Sequence, residues 1–195
     1  MAFPYPVFLD LAGVPVLLVG GGKVAHRKAL GLVEAGAVVT VVAPAVVPEL
    51  AALAAALHER PYSPGEAAGY QLVVVATDDP AVNALVASDA RAARTWVNSA
   101  DDPGNCSFIL PAIARRGLVT VAVSTGGASP ALAGEIRRRI ADDVLTEQVA
   151  AAAVDLAQQR AAIHAAGGST ETVDWTDRVH DALAERPAAP NTGID

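Results

Sequence analysis

The residues whose type and spacing point most directly to chemistry are three consecutive glycines, Gly20-Gly21-Gly22, followed by Lys23-Val24-Ala25. Gly20, Gly22 and Ala25 satisfy the pattern G-x-G-x-x-G/A. In it the first glycine permits a tight turn, the second lets backbone approach a pyrophosphate, and the small third residue lets helix and strand pack closely. The apolar run Val14–Val19 precedes the loop and a helical pattern, Val24–Ala35, follows it, so the free amides of a helix N-terminus would face an anion. We therefore expect a dinucleotide site built on Gly20, Gly21, Gly22 and Ala25. One customary part is missing. An Asp or Glu normally ends the second strand, about 20 residues on, and holds a ribose, but here that strand ends Val42-Ala43-Pro44-Ala45. No arginine follows to clamp a 2′-phosphate, which puts NAD ahead of NADP as the expected cofactor.

Two further loops carry candidates. Thr77-Asp78-Asp79 ends a strand on the edge where ligands bind in doubly wound folds, so Thr77 is a candidate cofactor contact. The plainer role of this segment is a turn and a helix cap. The loop Ser124-Thr125-Gly126-Gly127-Ala128-Ser129 leads to Pro130 and a helix start, a second arrangement suited to anions. Thr125, Gly126, Gly127 and Ser129 are its candidate binding residues, although such a loop also serves as a simple strand-to-helix connection. Arg137-Arg138-Arg139 and Arg115-Arg116 are the densest basic clusters, and at helical spacing the first three cannot share a face. His26, His58, His164 and His180 show no metal-type spacing, so no protein metal centre is expected.

These loops need elements to position them. The runs Val14–Val19, Val38–Ala43, Leu72–Ala76 and Trp96–Asn98 are continuously apolar, as strands buried on both faces of a parallel sheet are. Helical patterns at Val24–Ala35, Pro48–Leu57 and Pro80–Arg94 lie between them, which predicts a doubly wound α/β domain of Rossmann type. The style changes near residue 110. Beyond it come a strand at Val119–Ser124, a helix opened by Ser129-Pro130, an alanine- and glutamine-rich helical stretch at 146–166 and a short helix at Thr176–Ala184. Residues 186–195 are expected to be a disordered tail.

Composition sets the outer limits. The chain has 195 residues, 52% hydrophobic and 18% charged, enough for a packed core and too apolar for general disorder. A single cysteine, Cys106, allows no internal disulfide and suits a reducing compartment. The first residues lack the pattern of a signal peptide, and no apolar run reaches the roughly 18 residues of a membrane span. A cytoplasmic protein is expected. Its net charge of −7 argues against nucleic acid or an anionic membrane surface as partner.

Five segments in order carry a more specific resemblance: Tyr5-Pro6-Val7-Phe8-Leu9-Asp10-Leu11, GGGKVAHRKA, ATDDPAVN, VNSADDPGNCSFILPA and VAVSTGGASPALA. Together they resemble the precorrin-2 dehydrogenase family, which includes the N-terminal half of sirohaem synthase. The resemblance implies NAD-dependent oxidation of precorrin-2, a tetrapyrrole rich in carboxylates, to sirohydrochlorin. It further implies a homodimer with a Rossmann domain (1–110), a dimerisation region (111–145) and a small helical C-terminal domain (146–185). Lys23, Val24, Pro44 and Ala45 are then cofactor contacts, and the family's usual lack of the ribose-binding acid accounts for Pro44. The catalytic aspartate falls on Asp101, in a segment that would otherwise pass for an ordinary Asp-Asp-Pro-Gly turn. Two alternatives stand beside this reading. Some relatives also insert ferrous iron, and a non-enzymatic NAD-sensing module would need the glycines without Asp101. At this length the methyltransferase domain of larger sirohaem synthases is not expected.

Overall fold

The computed structural model describes residues 5–184. The predicted tail, 186–195, lies outside the described residues. Contacts divide the chain into two units, Met1–Leu110 and Pro111–Asp195.

The first unit is an α/β Rossmann-like domain. Five strands, β1 (Pro15–Val19), β2 (Val38–Val42), β3 (Ala56–His58), β4 (Leu72–Val75) and β5 (Trp96–Ser99), form one parallel sheet in the order β3-β2-β1-β4-β5. Their side chains alternate between two cores. Leu17, Val19, Val73, Val75 and Val97 meet Val86, Ala87 and Ala90 of helix α3 (Pro80–Ala92) on one face. Val16, Leu18, Val39, Val41, Leu72 and Val74 meet Ala25 and Ala29 of helix α1 (Lys23–Glu34) on the other. This explains the continuously apolar strands: both faces are covered. The chain reverses its winding direction between β1 and β4, which places a crevice at the carboxyl ends of those strands.

The stretch Pro48–Leu57 does not form the single helix its alanines suggest. Only α2 (Pro48–Ala51) is helical, and the chain then extends into β3, whose residues pair with Thr40–Val42 of β2. Pairing to an exposed sheet edge, with Leu57 packed against the core, outweighs local helix propensity.

The second unit begins with a two-stranded antiparallel ribbon, β6 (Ala112–Arg116) and β7 (Val119–Val123). The predicted strand at Val119–Ser124 thus has a partner that sequence patterning did not single out, because Ala112–Arg116 mixes apolar and basic residues. Helices α4 (Pro130–Asp143), α5 (Glu147–Ala165) and α6 (Thr176–Leu183) follow. Among the described residues its buried apolar side chains are few, and three of the four are alanine: Ala114, Ala133, Leu145 and Ala152.

Candidate functional site

The glycine loop joins β1 to α1 at the crevice. Gly20 has φ +125°, and a Cβ there would stand 2.3 Å from the Ala76 carbonyl oxygen at the end of β4. Gly21 is more confined still. A Cβ on it would lie 1.8 Å from the Ala45 oxygen, and its carbonyl accepts a 2.9 Å hydrogen bond from Val47 N. The loop after β2, with Pro44 and Ala45 exposed on it, therefore lies directly on the glycine turn. Gly22 is the opposite case, since a Cβ there meets nothing within 4 Å. Its surface is open to a ligand, while Ala25, fully buried, lets α1 sit close on the sheet.

The helix starts differ in a way that bears on anion binding. In α3, Asp79 accepts from Ala81 N at 2.8 Å. In α4, Ser129 accepts from Leu132 N at 3.2 Å. In α5 (Glu147–Ala165), Thr146 accepts from Val149 N at 3.3 Å. The N-terminus of α1 has no side-chain cap and no acidic residue in its first turn. Its leading amides, with Lys23 and Val24 exposed beside them, are left for an external anion. Open space at Gly22 and an uncapped helix start together fit a dinucleotide pyrophosphate.

Thr77 sits beside this loop, its amide nitrogen 3.3 Å from where a Gly20 Cβ would be. Its hydroxyl is already committed, donating to Asn83 Oδ1 at 2.6 Å and accepting from Asp79 N at 3.2 Å. Its carbonyl accepts from Asn83 Nδ2 at 3.3 Å, which leaves the backbone N–H to meet a cofactor.

Asp101 follows β5 at the same carboxyl edge of the sheet. It is one of two non-glycine residues with positive φ among those described, at +57°, a conformation aspartate tolerates better than most residues. The turn is fixed on both sides. Ala100 N donates to Val75 O at 2.8 Å, and the Cys106 thiol lies 3.2 Å from Ser99 O and 3.3 Å from Asp102 O. Arg91 of α3 donates to Gly104 O at 2.6 Å. Asp102 is used structurally, its carboxylate accepting from Asn105 Nδ2 at 2.7 Å. Asp101 is exposed, and among the described residues its carboxylate takes part in no hydrogen bond or ion pair. The two neighbouring acids thus divide into one that builds the turn and one that the turn presents. Among the described residues Asn98 Oδ1 and Ser99 Oγ are buried at this strand end without a hydrogen-bond partner from the protein.

Lys28, half-buried on α1, was not singled out by any sequence motif. Burial and the adjacent Arg27 push its ammonium below the ordinary lysine value, while Asp101 and Cys106 oppose the shift. That influence places Lys28 near the Asp101 turn across 73 residues of sequence, a proximity only the fold supplies.

In the second unit, the Thr125 hydroxyl accepts from Ser129 N and donates to Ser129 O, both at 3.0 Å. With Ser129 capping α4, both hydroxyls serve the turn. Gly126 and Gly127, at φ +63° and +87°, face open space. Of the arginine run, Arg138 and Arg139 are bound to Glu135, at 2.8 Å each. These pairs hold the Glu135 carboxyl down at about 2.

Comparison with known proteins agrees with this geometry. An NAD(P)-binding family matches residues 7–112, and the central region of sirohaem biosynthesis proteins matches 116–142. Siroheme synthase 3 of Aeromonas hydrophila is 41% identical over 195 residues, covering 94% of this chain and 42% of its own length. A siroheme synthase of Methylococcus capsulatus is 50% identical over 139 residues, or 69% of this chain and 29% of its own. The chain thus spans well under half the length of these relatives. A solved structure of SirC, a precorrin-2 dehydrogenase, superposes with a TM-score of 0.70 at 31% identity, covering 92% of this chain and 87% of that one. A five-stranded Rossmann sheet, an uncapped glycine loop and 31% identity across 87% of SirC leave one conclusion: the chain belongs to the precorrin-2 dehydrogenase family.

Proposed function

We propose that this protein oxidises precorrin-2 to sirohydrochlorin with NAD in sirohaem biosynthesis. The observation that carries the proposal is the Asp101 turn, which holds an unengaged carboxylate at the same sheet edge as the open glycine loop. When bound, NAD supplies the hydride acceptor. Gly21, Gly22, Lys23 and Val24 seat the pyrophosphate through backbone amides, Gly20 makes the turn with its own N–H donated to Val42 O at 3.0 Å, and Ala25 keeps α1 close beneath it. Pro44, Ala45 and the Thr77 backbone border the adenosine side. NAD rather than NADP is favoured because no arginine follows the end of β2 in the segment Val42-Ala43-Pro44-Ala45. Arg60, beyond β3, is ion-paired with Glu66 and donates to Pro61 O at 3.0 Å.

Removing two hydrogens from the macrocycle sends one as hydride to the nicotinamide and the other as a proton. Asp101 accepts that proton. Its fixed left-handed turn aims the carboxylate without a reorganisation at the moment of transfer. Gly126 and Gly127, with the backbone around Thr125 and Ser129, contact the carboxylates of the substrate. The protein acts in the cytoplasm as a homodimer. Support for the dimer comes from the second unit, where Ile113, Leu132, Ile136 and Val144 are each at least 37% exposed over a core with few buried side chains.

The test is direct. Purified protein, NAD and precorrin-2 should yield NADH together with the spectrum of sirohydrochlorin, and Asp101→Asn should stop both while NAD binding persists. Adding Fe²⁺ to the completed reaction asks whether the protein also inserts the metal, with the uncatalysed rate as reference.

A further inference from the structure

β5 is the last strand of its sheet, so the backbone of Val97 and Ser99 on its outer edge has no further strand to pair with. Residues 106–108 cover that edge, and they do so largely with side chains. The Ser107 hydroxyl accepts from Val97 N at 2.7 Å and donates to Val97 O at 3.3 Å, while Ser107 N donates to the same carbonyl at 2.7 Å. The Cys106 sulfur accepts from Ser99 N at 3.2 Å and lies 3.2 Å from Ser99 O. Asn98, buried on the strand itself, donates from Nδ2 to Phe108 O at 3.0 Å. The chain between these two stitched segments is the loop 100–105 that presents Asp101. The same sulfur also lies 3.3 Å from Asp102 O, so one side chain touches the backbone before and after Asp101.

Resting on the reading of Asp101 given above, we propose that Ser107, Cys106 and Asn98 are positioning residues for Asp101: the side-chain clamp they form at the base of loop 100–105 keeps its carboxylate aimed for proton transfer. A left-handed backbone is unfavourable for any residue but glycine, and it persists where the surroundings over-determine it. Asp101 has φ +57°, and among the described residues its carboxylate makes no bond that would hold it there. The restraint comes from the base of the loop. Its bonds are unequal, because a thiol is a weak donor and acceptor. The Ser107 hydroxyl and the Asn98 amide therefore close the base, and Cys106 guides the exit from Asp101 into Asp102. Covering the strand edge needs only the bonds to Val97 and Ser99. The reach of Cys106 past the strand to Asp102 is what joins covering to presentation. Freed at its base, the loop samples ordinary backbone conformations that turn the carboxylate away, and turnover falls to the fraction still presenting it.

The experiment uses the full chain and two readouts, precorrin-2 turnover and hydrogen exchange of the backbone amides in loop 100–105. Ser107→Ala and Cys106→Ala should each speed exchange in the loop and lower kcat by about fivefold or more. The KM for precorrin-2 and the affinity for NAD should stay within about twofold of wild type. Ser107→Thr, which keeps the hydroxyl, should hold kcat within about twofold of wild type. Introduced into Asp101→Asn, the two alanine substitutions should cost less than about twofold more, because their effect runs through Asp101. Unchanged kcat in both alanine variants overturns the proposal. An equal proportional loss in the Asp101→Asn background also overturns it, because the clamp would then be merely structural, as does a loss confined to NAD affinity. Wild-type turnover by Asp101→Asn overturns the reading of Asp101 and this proposal with it. A slowed Asp101→Asn beside unaffected clamp variants overturns this proposal alone.

Discussion

Glycines that look alike in sequence do different work at this site. Gly21 occupies the variable position of the G-x-G pattern, yet it is the most confined, with the Ala45 carbonyl where its side chain would be. Gly21→Ala must displace backbone on both loops, and a loss of about 1–3 kcal/mol is expected from chemical denaturation. Gly22→Ala should leave stability unchanged, because its methyl enters open space. It should weaken NAD by about tenfold or more in a fluorescence titration, since that space is where the pyrophosphate is proposed to approach. Equal effects of the two substitutions on stability would contradict this assignment. Asp101→Asn should lower kcat by about 10²–10⁴ with NAD affinity intact, and activity within twofold of wild type would remove Asp101 from the mechanism. The motif made Gly20, Gly22 and Ala25 legible in the sequence. Asp101 was legible only by resemblance, because its left-handed turn and the division of labour with Asp102 depend on Cys106, Arg91 and Asn105. Lys28 was not legible at all, for no local pattern records what a helix side chain meets across the fold.

At the level of elements, local chemistry marked the starts of α3 and α4 well. Asp79-Pro80 and Ser129-Pro130 both form the capped starts that their residue types favour. It failed at β3 and β6, where pairing with a neighbouring strand decides the conformation and no alternation announces it. The link between the 3₁₀ turn Glu66–Gly69 and α3 was equally hidden. Tyr62 makes it, donating to Asp89 Oδ2 at 3.0 Å and accepting from Ala67 N at 3.1 Å. Burial, with Asp89 adding to it, pushes the Tyr62 phenol up to about 12, from 10.0. The folded state therefore favours the neutral phenol. Its contribution is complete below pH 10 and is lost as pH rises from there toward 12. Melting curves between pH 9 and 12 should fall more steeply for wild type than for Tyr62→Phe, which lacks the titrating group but also loses both hydrogen bonds at neutral pH. Parallel curves would show that Tyr62 plays no part in alkaline stability.

Over the whole molecule, the two units differ in how they are stabilised. The first has two apolar cores, one on each face of its sheet. The second buries mainly alanines and leaves Leu132 52% and Ile136 37% exposed one helical turn apart on α4. A surface of that kind needs a cover, and a second copy of the chain is the proposed one. Sedimentation should show a dimer, and Ile136→Glu should yield monomer whose second unit melts at lower temperature. A monomeric wild type would contradict the homodimer. The central claim is that the glycine loop and Asp101 serve one oxidation, and a single anaerobic assay tests it most directly. Precorrin-2 and NAD are mixed with the protein, with absorbance followed for NADH and for the macrocycle together. The account predicts one NADH for each sirohydrochlorin formed, abolished in Asp101→Asn. NAD binding with no NADH produced from precorrin-2 would contradict it.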